Sequence, residues 1–522
     1  MNENQIHLIS WNVTSGRAMR NCFSVKYRPK ILPVIFLVFV TLWLRLVNLG
    51  YSNYQGDEIK ALPLLVPEQT FFDFLLQQRK GPTQFIITYL IKLVNPAFTN
   101  EFFTRLPFAL GGILAVFFFY RMVKLNFGRR IALYASIFLT VNGLFVGLNR
   151  IVQYQSFVIL FSILSIYAIS LAIKRKKWRI VGLYLGMLFW GMAVLSHYDG
   201  LLIAPYVVYL LICWYTRYIN LPVRTRQKHI LLSIGIFILI PAIFYVQFVF
   251  SISEATRTYW STRLQEPIDV NTIKSSLVTF RIYNPLIVIY LYAVLGLLSI
   301  LKIKKTFPVI LWFIFPWIVF EGIIYDPGTH IYTYLIPATI LIAFGVAVIE
   351  DALEKVAGEG YGRVLSRAGL VILFIFLSTL SHFIFVDHTP EYPWEERKYL
   401  IWTLEEPDSK YKLWLYGFPY NRYWDEIAEY IISTENNGFY STNEKRSISG
   451  FYLPYEFNVN QSGYYIHIHN PQSLRERLPI DKIRYWRKNY QPVKVFEYRG
   501  RTVAEIYLMP EGDVKEIKKA GY

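Results

Sequence analysis

Long apolar runs alternate with short basic loops from Ile31 to Phe385, and after Asp387 the runs stop and soluble patterning begins. Runs near the roughly twenty residues that cross a hydrocarbon layer predict a polytopic α-helical membrane protein. The first, Ile31 to Leu49, is followed by no small-residue cleavage site and reads as a retained helix. One stretch departs from the series: Phe85 to Val94 offers only about ten residues, too few to span. If it crossed, the next helix would deliver Phe127-Gly128-Arg129-Arg130 to the outer side, against the preference of basic loops for the cytoplasm. Reading 68–94 as amphipathic or re-entrant segments at the outer surface keeps every later basic loop inside. Crossings are then expected at 31–49, 105–122, 131–149, 155–173, 179–197, 200–216, 229–250, 284–301, 307–324, 331–349 and 368–386, about eleven in all.

Two regions are expected outside. One is the loop 251–283, polar and aromatic, with Arg257, Tyr259, Trp260, Arg263 and Arg281. The other is the segment 387–522. There Tyr423 to Ile432 has helical spacing, and Val493 to Met509 alternates about an Arg-Gly turn as a β-hairpin does. The organisation predicted is a cytoplasmic tail (1–30), a transmembrane module (31–386) whose external loop 51–104 holds an acidic pair, and an extracytoplasmic soluble α/β domain (387–522).

Composition agrees. The chain is 54% hydrophobic and 18% aromatic, with a mean hydropathy of +0.32, which excludes disordered, collagenous and disulfide-scaffold classes. The formal charge of +18 comes from clusters in short loops, Arg17–Lys30, Arg121–Arg130, Lys174–Arg179, Arg217–Lys228 and Lys302–Lys305, not from one basic face. That distribution marks the cytoplasmic side of a multi-spanning protein and argues against nucleic acid as a partner. A plasma (inner) membrane is the expected location, with the N-terminus cytoplasmic. The two cysteines, Cys22 and Cys213, fall on the reducing side, so no disulfide is expected.

Acidic residues are scarce, 36 against 54 basic ones, yet Gly56-Asp57-Glu58 sets two side by side after the first apolar run. Two carboxylates at the mouth of a membrane helix are costly unless solvated or used. They suit a general base or a metal ligand, and they equally suit the first turn of a helix.

The order of elements in 31–200 resembles the GT-C glycosyltransferases, and most nearly the branch of protein O-mannosyltransferases and lipid A aminoarabinose transferases. The likeness is carried by Gly56-Asp57-Glu58, then Arg79-Lys80-Gly81-Pro82, then Arg105-Leu106-Pro107 opening a helix that passes Gly111-Gly112 and ends at Phe127-Gly128-Arg129-Arg130. Later, His330-Ile331-Tyr332-Thr333-Tyr334-Leu335-Ile336-Pro337 resembles the family's tyrosine- and proline-containing start of a late helix. Two departures fall near the expected donor region. Asn149-Arg150-Ile151-Val152-Gln153-Tyr154-Gln155 stands where an Asp is common, and Ser196-His197-Tyr198-Asp199-Gly200 where a Lys-Gly pair is common.

The resemblance implies a polyprenyl-phosphate-linked sugar as donor, a protein, lipid or glycan as acceptor, and transfer with inversion on the extracytoplasmic face of the bilayer. Such transfer needs a base for the acceptor proton and cations for the departing phosphate. Asp57 is the expected base, with Glu58 orienting the acceptor or helping to hold a divalent ion, the one cofactor left open. Lys80, Arg105, Arg150, Arg257 and Arg263 are the expected phosphate ligands, against simple snorkelling to water at helix ends. His197, Asp199, His330, Tyr332 and Tyr334 are expected to line the substrate site. His467 and His469 share one strand face but lack a nearby third metal ligand in sequence. The competing class is a transporter or flippase for a lipid-linked saccharide, which predicts half-repeats, broken helices and ionisable groups near mid-bilayer; Pro205, Pro241 and Pro316 are the places where helices would bend.

Overall fold

The computed structural model describes residues 32–265, 275–324, 327–389, 397–400, 402–404, 416–435, 437–458, 461, 463–472 and 480–509. The expected cytoplasmic tail, with Cys22 and the Arg17–Lys30 cluster, lies outside them.

The chain opens with α1 (Leu32–Leu46), followed by a one-turn helix α2 (Gly56–Ile59) and two short helices, α3 (Phe71–Leu76) and α4 (Thr83–Lys92). With 6 and 10 residues, neither α3 nor α4 can span a bilayer. Then come α5 (Glu101–Phe127), α6 (Arg129–Val141), α7 (Gly143–Leu148), α8 (Gln155–Lys174), α9 (Val181–Ser196), α10 (Ala204–Arg217) and α11 (Val223–Phe250). The expected crossing 131–149 is broken where Asn142 turns extended and its side chain caps α7 by accepting the Leu144 N–H. Two short helices, α12 (Glu254–Gln265) and α13 (Ser275–Tyr283), flank the described gap, and α14 (Leu286–Leu298), α15 (Ile303–Ile318), α16 (Tyr332–Ala357) and α17 (Glu359–Phe385) complete the bundle.

Among the described residues seven helical stretches are long and apolar enough to cross a membrane. One of them, Ile287–Ile323, comprises α14 and α15 joined by a 3-10 turn at Ser299–Lys302. The apolar helices α1 and α9 are shorter. α8 and α16 are apolar on all sides and form the buried centre, whereas α11 is mostly outward-facing. At one end of α16, Tyr334 meets Glu321; at the other, Asp351 takes both Lys302 and Arg130. The basic residues Arg129, Arg130, Lys174, Lys302, Lys304 and Lys305 therefore gather at the end remote from Asp57, around a cavity of about 630 Å³.

After a two-stranded pair, β1 (Arg397–Tyr399) and β2 (Trp402–Leu404), the C-terminal domain runs α18 (Trp424–Ser433), β3 (Phe439–Thr442), α19 (Arg446–Tyr452), β4 (Glu456–Phe457), β5 (Gly463–Ile468), α20 (Ile480–Asn489), β6 (Lys494–Tyr498) and β7 (Arg501–Met509). Its sheet has the order β4-β3-β5-β7-β6, parallel between β3 and both β4 and β5, antiparallel elsewhere. The β6–β7 turn is Arg499-Gly500, both at positive φ, 53° and 77°, the conformation a two-residue hairpin favours. The domain sits directly on the loop that follows α1. Tyr452 accepts the Tyr54 N–H at 2.9 Å, the Tyr420 carbonyl accepts from Asn53 N–H, and Gln472 accepts the Gly56 N–H at 3.1 Å.

Candidate active site

The acidic pair sits on α2, which is too short to hold itself and is fastened at its start. The Gln55 side chain accepts the Asp57 N–H, and Glu58 reaches back to the Gln55 N–H at 2.9 Å, a reciprocal cap. From one turn the two carboxylates leave in opposite directions.

Glu58 points inward, with 1% of its side chain exposed. It forms a two-pronged ion pair with Arg105, 2.8 and 2.9 Å, and accepts the Val152 N–H at 3.0 Å. Arg105 spends its remaining donors on the carbonyls of Leu49, Ser52 and Asn53. Arg150 is equally committed, to the carbonyls of Leu44, Val47 and Asn48 past the end of α1 and to Gly417. Arg105, Arg150 and Glu58, expected as phosphate ligands and as an acceptor or metal group, do not line the large cavity that Asp57 faces. These three groups are buried and hydrogen-bonded, and they join the first loops to the bundle.

Asp57 points the other way, into a cavity of about 1100 Å³ between the loops around α2–α4 and the C-terminal domain. Its side chain remains 29% exposed. The carboxylate accepts from the Tyr416 hydroxyl at 2.8 Å and from Lys60 at 2.9 Å. Gln153 links it to Lys80: the amide donates to the Asp57 carbonyl at 2.9 Å and accepts from the Lys80 ammonium at 2.7 Å. Burial acts to raise the Asp57 pKa, but Lys80, Lys60 and the hydrogen bonds from Lys60 and Tyr416 outweigh it and hold the carboxyl below its ordinary range. Burial lowers the Lys80 ammonium to about 8, with Asp57 opposing the shift. Lys80 lies on the α3–α4 turn because Gly81 lets that turn press on the end of α9; a Cβ there would stand 2.0 Å from the Leu195 carbonyl oxygen.

Beyond Lys80 the wall continues as an aromatic and imidazole stack. The Lys80 ammonium lies 5.3 Å over the Tyr154 ring, which stacks face to face on His197 at 4.0 Å. His197 adjoins Asp199, and Asp199 Oδ2 is held by His330 at 2.7 Å and the Tyr332 hydroxyl at 2.8 Å. His197, Asp199, His330 and Tyr332, distant in sequence, are thus brought together. Tyr334 is placed elsewhere, its hydroxyl donating to Glu321 at 2.9 Å. Arg257 is exposed on α12 and does not line the cavity, whereas Trp260 of the same helix does. The Arg263 side chain lies outside the described residues.

Several residues on this wall or bonded to it were not singled out by sequence. Tyr416, Lys445 and Arg446 come from the C-terminal domain, and nothing in their local pattern points to a site far upstream. Gln153 and Tyr154 fall in the stretch noted as departing from the family, a signal that located the position without its use. With Lys60, Arg79, Lys80, Lys445 and Arg446 against Asp57 and Glu456, the cavity carries an excess of cations suited to a phosphate. The histidines of β5 also receive what sequence lacked: β7 sets Glu505 opposite His467, giving His467, His469 and Glu505 as a grouped set, with Arg487 also approaching Glu505 at 3.5 Å.

The family model described as dolichyl-phosphate-mannose-protein mannosyltransferase matches residues 82–245. The chain is similar to ArnT from Cupriavidus metallidurans bound to undecaprenyl phosphate, 13% identical with a TM-score of 0.52, over 91% of this chain and 98% of that one. The apo state of ArnT from the same organism gives 13% identity and a TM-score of 0.49, over 91% and 97%. The archaeal oligosaccharyltransferase AglB from Archaeoglobus fulgidus, in complex with an inhibitory peptide and a dolichol-phosphate, gives 10% and 0.44, over 85% and 70%. No curated protein matches the chain in sequence. The family model matches part of the chain, and the likeness to ArnT bound to undecaprenyl phosphate shows a shared fold.

Proposed function

We propose that the protein transfers a sugar from a polyprenyl-phosphate donor to an acceptor on the extracytoplasmic side, with inversion at the anomeric carbon and Asp57 as general base. The observation that carries this reading is the pairing of an ionised, partly exposed Asp57 with Lys80 through Gln153 on the wall of a cation-lined cavity. Asp57 takes the acceptor proton as the nucleophile attacks, and Lys80 with the neighbouring cations stabilises the phosphate as the glycosidic bond breaks.

The coupling of the two groups has a functional side. Lys80 is the first among the groups that depress Asp57. A donor phosphate seated on Lys80 places negative charge beside that carboxylate and raises its affinity for a proton, so the base strengthens when the leaving group is in place. The ArnT structure named above holds undecaprenyl phosphate, which supports a lipid phosphate as the anion. The test is transfer from a panel of radiolabelled polyprenyl-phosphate sugars into membrane extracts, wild type against Asp57→Asn. Transfer by the wild type, lost in the variant while donor binding persists, is the expected outcome. Movement of the donor across the bilayer with no bond formed, unchanged in Asp57→Asn, overturns it.

A further inference from the structure

Asp199 lies behind this wall with 1% of its side chain exposed, and the groups within ion-pair distance of it among the described residues are His197 and His330, each charged only if protonated. A carboxylate taken so far from water needs a compensating positive charge. The two oxygens are treated unequally. Oδ2 accepts from both His330 and the Tyr332 hydroxyl, which fixes the plane of the group. Oδ1 is buried without a hydrogen-bond partner. It faces His197 Nδ1 at 3.1 Å, and that nitrogen accepts the Asp199 backbone N–H at 3.2 Å, so it presents a lone pair. A cation beside these two atoms would be held by both.

The surroundings complete a coordination site. His197, Asp199 and His330 each offer a ligand atom within 4.8 Å of the other two. The His197 ring is locked by its stack on Tyr154, and Tyr332 supports the carboxylate from behind, as outer partners of metal ligands do. His197 and His330 both line the cavity that holds Asp57 and Lys80. Two imidazoles and one carboxylate with an open side are the donor set of a first-row transition metal that keeps a position for substrate.

We propose that His197, Asp199 and His330 bind one divalent transition-metal cation whose open position faces the cavity and takes an oxygen of the donor phosphate beside Lys80. Binding of the cation stands on these residues alone; its contact with the phosphate rests on the glycosyl transfer proposed above. The cation supplies charge where negative charge grows on the leaving group.

The test uses the full-length protein in detergent, titrated with Co²⁺ and followed by visible absorption and metal content. One bound Co²⁺ with the intense bands of a low-coordinate nitrogen–oxygen site is expected. It should be lost in Asp199→Asn and His330→Ala, and weakened about 10–100-fold in Tyr332→Phe, which keeps the packing and removes only the supporting hydroxyl. His469→Ala, in the separate cluster on β5 and β7, should leave these bands unchanged. Unaltered Co²⁺ content and spectrum in Asp199→Asn overturns the site. The second readout is binding of undecaprenyl phosphate, expected to tighten about tenfold with Co²⁺ in the wild type and not at all in Asp199→Asn. Equal binding with and without the metal overturns the phosphate contact and leaves the transferase reading intact. Absence of lipid phosphate binding under both conditions sinks that reading while the cation site stands.

Discussion

Asp57 and Glu58 are consecutive residues of the same charge on the same helical turn, and they belong to two different regions of the molecule. Glu58 faces the joint formed with Arg105, where every donor and acceptor is matched and water is excluded. Asp57 faces the cavity, where its partners are a phenol, a surface lysine and, through Gln153, a second lysine. A buried charge held by a full set of partners is structural, because moving any of them leaves another unpaired. A partly exposed charge whose neighbours have capacity to spare can exchange them for a substrate. The comparison teaches why the proposed chemistry falls to the exposed half of the pair and the structural joint to the buried half.

The joint should break most severely. Glu58→Ala leaves the Arg105 guanidinium buried without its carboxylate and should cost about 3–5 kcal/mol. Denaturant or thermal unfolding in detergent measures this, and a change within about 1 kcal/mol would show that the joint is not structural. Asp57→Asn should leave unfolding nearly unaltered while lowering transfer by about 10²–10⁴-fold, the range expected for a lost general base. A matching loss of stability would erase the distinction between the two carboxylates.

Lys80→Met comes next, raising the donor KM by about 10–100-fold for a lost charged hydrogen bond. The lowered Lys80 pKa adds a sign. Its positive charge is present below pH about 8 and disappears above it, so the donor KM should climb as pH rises through that value. Lys80→Arg should abolish the climb, and a wild-type profile flat through that range would argue against Lys80 as the phosphate ligand. The smallest effect belongs to Tyr416→Phe, about 2–10-fold in transfer, as one hydrogen bond from the C-terminal domain to Asp57 is removed and the carboxyl pKa moves up.

Apolar run length and the side preference of basic loops were enough to read a polytopic bundle with short, non-spanning α3 and α4, and to read the β6–β7 hairpin from its alternation and Arg-Gly turn. Those properties depend on the solvent each segment meets and on local backbone geometry, so they are written along the chain. The same reasoning put Arg105 and Arg150 at the outer end of the bundle without saying which way they face. Depth in a membrane follows from position in a run, whereas facing depends on what the neighbouring helix presents.

The sequence by itself determined the class of protein, the clustering of basic loops and the location of an acidic pair after the first apolar run. Only the tertiary structure decided that Asp57 opens onto the cavity while Glu58 closes a buried joint. Tertiary structure also brought Tyr416, Lys445 and Arg446 from the C-terminal domain to the site, and joined His197 and Asp199 to His330 across more than a hundred residues of chain. The physical reason is range. Hydrophobic partition and turn preferences act within one segment, but whether a charge is satisfied or available is set by partners that only folding brings within hydrogen-bond distance.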